Sequence, residues 1–117
     1  MGGAKKLEVR FYRSEAGNEP VREWLKMLAS DDRRTIGTDL MRVEMGWPIG
    51  MPVCKPIAGA SGLWEVRSNI SDGRIARILF TTGDGTLILL HGFIKKTQWT
   101  PPDDIDTALQ RRRRLDP

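Results

Sequence analysis

The stretch from Leu63 to Lys96, LWEVRSNISDGRIARILFTTGDGTLILLHGFIKK, constrains this chain more than any other. Leu63–Ser68 alternates its side chains, while Arg74–Thr81 and Thr86–Ile94 are richer in β-branched and large apolar residues. Between these runs lie Asn-Ile-Ser-Asp-Gly and Gly-Asp-Gly, which supply the positive φ values that tight hairpins need. The pattern predicts three strands in an antiparallel meander.

In such a meander the end of the first strand, the start of the second and the end of the third lie together. Arg67, Arg74, Arg77, His91, Lys95 and Lys96 are therefore expected to gather at one end of one sheet. Side-chain parity puts Glu65 and Arg67 on one face, Ile75 and Arg77 on one face, and His91, Phe93 and Lys95 on one face. The two hairpin registers decide whether these three sets coincide. If Arg67 and Arg77 sit opposite each other they repel, because like charges directly across a ladder are destabilising. A fold that keeps such a pair usually has an anion to hold, and a phosphate is the natural candidate.

At 117 residues, the length suits one domain over 1–117. The net charge of +4, with a pI near 9.6 and 19 Lys and Arg residues, points to polyanions as partners. The single cysteine, Cys54, excludes an internal disulfide and fits a reducing, cytoplasmic setting. One histidine and one cysteine are too few for a zinc-type site, so no metal or other cofactor is expected. Neither a membrane-spanning apolar run nor a signal-peptide layout is present, so no membrane association is expected.

Around the meander the chain reads as α+β, with its helices segregated from its strands. Leu7–Tyr12 alternates like a half-buried strand and is expected to pair with the meander in a small antiparallel sheet. Pro20 suits the first turn of a helix, after which Val21, Trp24, Leu25 and Leu28 form one apolar stripe. Ser30 or Asp31 can cap a second helix, in which Ile36, Leu40 and Val43 repeat the pattern up to Gly46. These two helices form a hairpin against one sheet face. Trp47–Gly62, punctuated by proline and glycine, reads as a long connecting loop. Thr100-Pro101-Pro102-Asp103 resembles a capping box at the start of a short C-terminal helix with Ile105, Ala108 and Leu109 on its apolar face. Arg111–Arg114 then set positive charge at the helix C-terminus.

The order of LWEVR, RIARILF, LLHGFIKKTQ, Pro101-Pro102 and the Ile105, Ala108, Leu109 helix resembles the RelE/HigB superfamily of toxins, in particular the phage-derived HigB-like branch of toxin–antitoxin systems. The resemblance runs from the first strand to the last helix. It implies a RelE-like fold and a small endoribonuclease (an mRNA interferase) that cleaves mRNA on the ribosome. It also implies a cognate antitoxin, a helix-turn-helix protein, that silences the toxin. Related toxins carry basic residues at the positions matched here by Arg67, Arg77 and Lys95 or Lys96. The aromatic or histidine that some relatives place in the last helix has no counterpart in Ile105–Leu109.

RNA cleavage without a metal needs a base for the 2′-hydroxyl proton, a cation for the developing phosphorane charge and an acid for the leaving 5′-oxygen. The planar forks of Arg67 and Arg77 suit the phosphate. Lys95 or Lys96, crowded by other cations, can serve as acid or base, and successive residues face opposite ways, so at most one of them points at the site. His91 is the natural proton shuttle, since histidine ordinarily titrates nearest neutrality; a packed core histidine is the other reading of its apolar strand. Glu65 either orients an arginine or pairs with it structurally. Arg74 and the run Arg111, Arg112, Arg113 and Arg114 suit RNA backbone contact as well as solvated surface. Trp24 reads as core, whereas Trp64 and Trp99 stay open between core and base-stacking roles. Cys54 lacks the surroundings of a nucleophile. Two non-nuclease alternatives remain: a toxin of the same fold that poisons a topoisomerase, and a basic RNA-binding module without chemistry.

Overall fold

Two Asp-Gly pairs turn the middle of the chain back on itself. Asp72 with Gly73, and Asp84 with Gly85, all adopt positive φ, a conformation open to glycine and tolerated by aspartate. In the computed structural model, which describes residues 7–50, 53–95 and 99–115, these turns link β3 (Trp64–Asn69), β4 (Ile75–Gly83) and β5 (Thr86–Ile94). Preceding them are β1 (Glu8–Phe11), α1 (Pro20–Lys26), α2 (Ser30–Gly46) and β2 (Cys54–Pro56), and α3 (Pro102–Arg113) follows. The five strands form one sheet in the order β1-β5-β4-β3-β2. The fold is α+β with three α-helices among the described residues, and the expected meander is present.

Two expectations about the sheet need correction. It is mixed rather than antiparallel, because β1 runs parallel to β5. No hairpin joins these strands; a crossover of helices and strands separates them in sequence, which leaves the direction of β1 to packing. The end of α2 helps to hold it, with the backbone N–H of Leu7 donating to the Glu44 carbonyl at 3.3 Å. The stretch expected to be a loop contains β2, which pairs antiparallel with β3. Three residues ending in proline carry no readable periodicity, and proline suits this edge position because an edge strand leaves one side unpaired.

Alternation divides the sheet into two unlike faces. Val66, Ala76, Ile78, Phe80, Leu87 and Leu89 meet Val21 of α1 and Ile36, Leu40 and Val43 of α2. On the reverse, Leu79, Leu90 and Phe93 meet Ala108 of α3, with Tyr12 and Leu63. Each fully buried aliphatic or aromatic side chain contributes about 1.5–3 kcal/mol, so this pattern fixes which face each strand turns inward. No helix among the described residues is long and apolar enough to cross a membrane.

Register along β5 breaks at one point. Leu79 pairs with His91, but Phe80 pairs with Leu89, leaving Leu90 as an extra residue. This bulge reverses the alternation. Leu87 and Leu89 face α1 and α2, whereas His91 and Phe93 face α3. A buried bulge carbonyl still needs a donor, and Arg111 Nη1 supplies one to Leu90 O at 2.8 Å.

Gly92, on the α1 side, is a notch for an indole. A Cβ built there would lie 2.5 Å from both Cε3 and Cζ3 of Trp24. Gly92→Ala is therefore expected to force Trp24 out of register at a cost of about 1–3 kcal/mol, measurable by urea denaturation. An unchanged denaturation midpoint would show that α1 can shift freely.

Candidate functional site

Register settles the central question of the meander. Arg67 lies directly opposite Arg77, and Arg77 opposite Phe93; two pairs along, Glu65 lies opposite Leu79, and Leu79 opposite His91. Arg67, Arg77, Glu65 and His91 therefore share the face covered by α3.

Glu65 is the anion at the centre of the cluster. It is wholly buried, and its Oε1 accepts from Arg67 Nε at 2.7 Å and lies 3.9 Å from Lys55 Nζ. Thr100 Oγ1 donates to Oε2 at 2.5 Å, the short contact expected when the acceptor is ionised. Arg77 is also wholly buried, and its Nη1 donates to the Trp99 carbonyl at 3.2 Å. Burial lowers the pKa of Arg77; Glu65 opposes that shift and Arg67 adds to it. An arginine nevertheless stays protonated under these conditions. Among the described residues, three cations surround one carboxylate, an excess of positive charge beneath the segment Trp99–Thr100.

That segment also accounts for the missing capping box. Thr100 spends its hydroxyl on Glu65, and the N-cap position of α3 falls to Pro101, which makes no side-chain cap. At α2 the residue in the N-cap position is Ala29, not Ser30 or Asp31. The buried Asp32 in its first turn instead accepts from Ser71 N, Ser71 Oγ and Arg74 Nη2 at 2.9–3.0 Å. Its carboxyl lies below the ordinary range, chiefly through the Ser71 backbone hydrogen bond, against burial.

A second group sits on the β5 side. His91 Nε2 is 2.7 Å from Asp104 Oδ1, and Lys95 Nζ is 3.0 Å from Asp104 Oδ2. The His91 ring stacks on Phe93 at 5.5 Å with an interplanar angle of 25°, and Lys95 lies 5.9 Å from the centroid of the same ring. Burial pushes the Asp104 carboxyl up, but the hydrogen bonds and charges of His91 and Lys95 outweigh it and leave the group below its ordinary range. An ionised carboxylate only accepts, so Nε2 carries the His91 proton and Nδ1 is left as the basic nitrogen.

The depressed Asp104 has a consequence for acid stability. A carboxyl lowered on folding stabilises the native state above its unfolded pKa, and that contribution is lost as pH falls below about 4. Asp104→Asn is expected to cost about 2 kcal/mol near neutrality. The gap from wild type should narrow on acidification through that range, as followed by thermal melts at stepped pH. A constant gap would remove Asp104 from the acid response.

The sequence-derived candidates divide clearly. Arg67, Arg77, His91 and Lys95 are brought onto or beside one face, and Lys96 lies outside the described residues. Arg74 is turned towards α2 by Asp32. Within the arginine run, Arg111 binds the bulge carbonyl and lies 5.7 Å from the Tyr12 ring centroid, Arg112 donates to Ser61 O at 2.7 Å, and Arg114 to Tyr12 Oη at 3.4 Å. These three tie α3 to the body of the protein, while Arg113 is exposed. Cys54 is buried, and desolvation followed by the Glu65 charge pushes its thiol up to about 11, so it is a poor nucleophile.

Sequence reasoning missed Asp104, Thr100 and Lys55. Asp104 did leave a signal: it lies one helical turn before Ala108, so it is an acid on the apolar face of α3 rather than a solvated first-turn residue. Lys55 and Thr100 left none, because both lie in irregular, proline-flanked sequence.

Together these features define a small α+β protein with a buried carboxylate ringed by cations and a histidine held by an aspartate. A profile of the phage-derived Gp49-like proteins (DUF891) matches residues 23–113, and the chain belongs to that family. The Gp49-like family is associated with the toxins of toxin–antitoxin systems, which implies an antitoxin partner. A search of curated proteins finds no match.

Proposed function

We propose that this protein is the toxin of a toxin–antitoxin pair and acts as an mRNA endoribonuclease on the ribosome, in the manner of the RelE/HigB superfamily. The observation that carries this reading is the pairing, on one face, of a positively charged arginine row with a histidine whose tautomer is set by a carboxylate. The 2′-oxygen attacks the neighbouring phosphorus as its proton passes to His91 Nδ1. The phosphorus–O5′ bond then breaks, and the 5′-oxygen takes a proton from imidazolium or from Lys95. The products are a 2′,3′-cyclic phosphate and a 5′-hydroxyl.

Arg67, with 18% of its side chain exposed, reaches the phosphate. Arg77, wholly buried, acts from beneath by holding Trp99 and balancing Glu65. An acidic segment of an antitoxin, such as a helix-turn-helix partner, would quench the same surface.

Induction in cells with and without the adjacent gene, followed by mapping of mRNA 5′ ends, tests the reading. Cuts at a fixed position within codons that disappear with His91→Ala are the expected result. Growth arrest with intact mRNA would overturn it and favour a toxin without nuclease activity.

A further inference from the structure

On the β2 side of the cluster is a groove of about 200 Å³ between Lys55–Ala58 and the start of α3. It is lined by Pro56, Ile57, Ala58 and Ile105 together with Lys55, Trp99 and Thr100. The volume is below that of a typical whole-ligand pocket and suits one planar heterocycle. Trp99 is 71% exposed, an unusual position for the largest side chain. Its backbone is nevertheless fixed, through its carbonyl to Arg77 and through Thr100 to Glu65. A pinned backbone beneath an exposed indole presents an aromatic face at reduced ordering cost. Lys55 is held loosely, 3.9 Å from Glu65 against 2.7 Å for Arg67, and keeps 28% of its side chain exposed.

We infer that this groove takes one base of single-stranded RNA, stacked on Trp99, with Lys55 meeting the adjoining phosphate. The inference rests on the ribonuclease reading and adds to it a subsite beside the scissile phosphate. Charge supports the occupant. The groove opens next to three cations and one carboxylate, so its neighbour should be an anion, and stacking accepts any base because every base has a π face.

The test is fluorescence anisotropy of a labelled tetraribonucleotide carrying 2′-O-methyl groups, which cannot be cleaved. Trp99→Ala should weaken binding roughly tenfold or more while Trp99→Phe stays close to wild type. Lys55→Ala should flatten the salt dependence by about one phosphate contact. Melting temperatures of the Trp99 variants should stay within a few degrees of wild type, because most of the residue is exposed. Wild-type affinity in Trp99→Ala, with binding lost in Arg67→Ala, would overturn the groove and leave the RNA reading standing. No binding by the wild type, or binding indifferent to both substitutions, would overturn the groove, while the RNA reading itself stands or falls with the mapping of mRNA 5′ ends.

Discussion

Replacing Glu65 with leucine is expected to lower stability by about 3–5 kcal/mol, the usual cost of leaving a buried charge without its counter-ion. For a chain of this size that is a drop of roughly 10–20 °C in melting temperature. The carboxylate accepts from Arg67 and Thr100 and lies beside Lys55, so its loss leaves Arg77 buried opposite a second guanidinium. Glu65→Leu combined with Arg77→Met should recover most of the loss, because two matched apolar side chains remove the charge imbalance. A single Glu65→Leu variant melting within a few degrees of wild type would show that solvent reaches the cluster.

Arg67→Ala should lower mRNA cleavage by about 10²–10³-fold, the scale for losing one group that stabilises transition-state charge. Its stability cost should stay near 1 kcal/mol, since the partly exposed side chain leaves Glu65 with Lys55 and Thr100. Arg67→Lys should recover only part of the rate, because an ammonium keeps the charge without the planar fork. Single-turnover cleavage in a reconstituted translation system measures both variants. Full activity in Arg67→Ala would move the phosphate site elsewhere.

The meander could be read from sequence because three signals agreed: alternation in Trp64–Asn69, apolar β-branched runs in β4 and β5, and Asp-Gly turns between them. Both helices of the hairpin were legible from their apolar stripes. Strand direction at β1 and the existence of β2 were not, since each depends on long-range pairing rather than local pattern. The arginine row was readable as a condition on register, and the register of the β3–β4 hairpin meets it. Asp104 went unread because an acid in the first turn of a helix has a sufficient local explanation in the helix dipole. Only the fold reveals that it bridges His91 and Lys95.

The extra residue at Leu90 bears on how kindred chains should be compared. A homologue with a regular ladder would align with β5 without a gap and still aim its histidine into the opposite layer. Matching letters at position 91 would then equate the proposed shuttle with a piece of packing. Transfer of catalytic roles across the family therefore has to be checked against strand pairing, one hydrogen-bonded couple at a time.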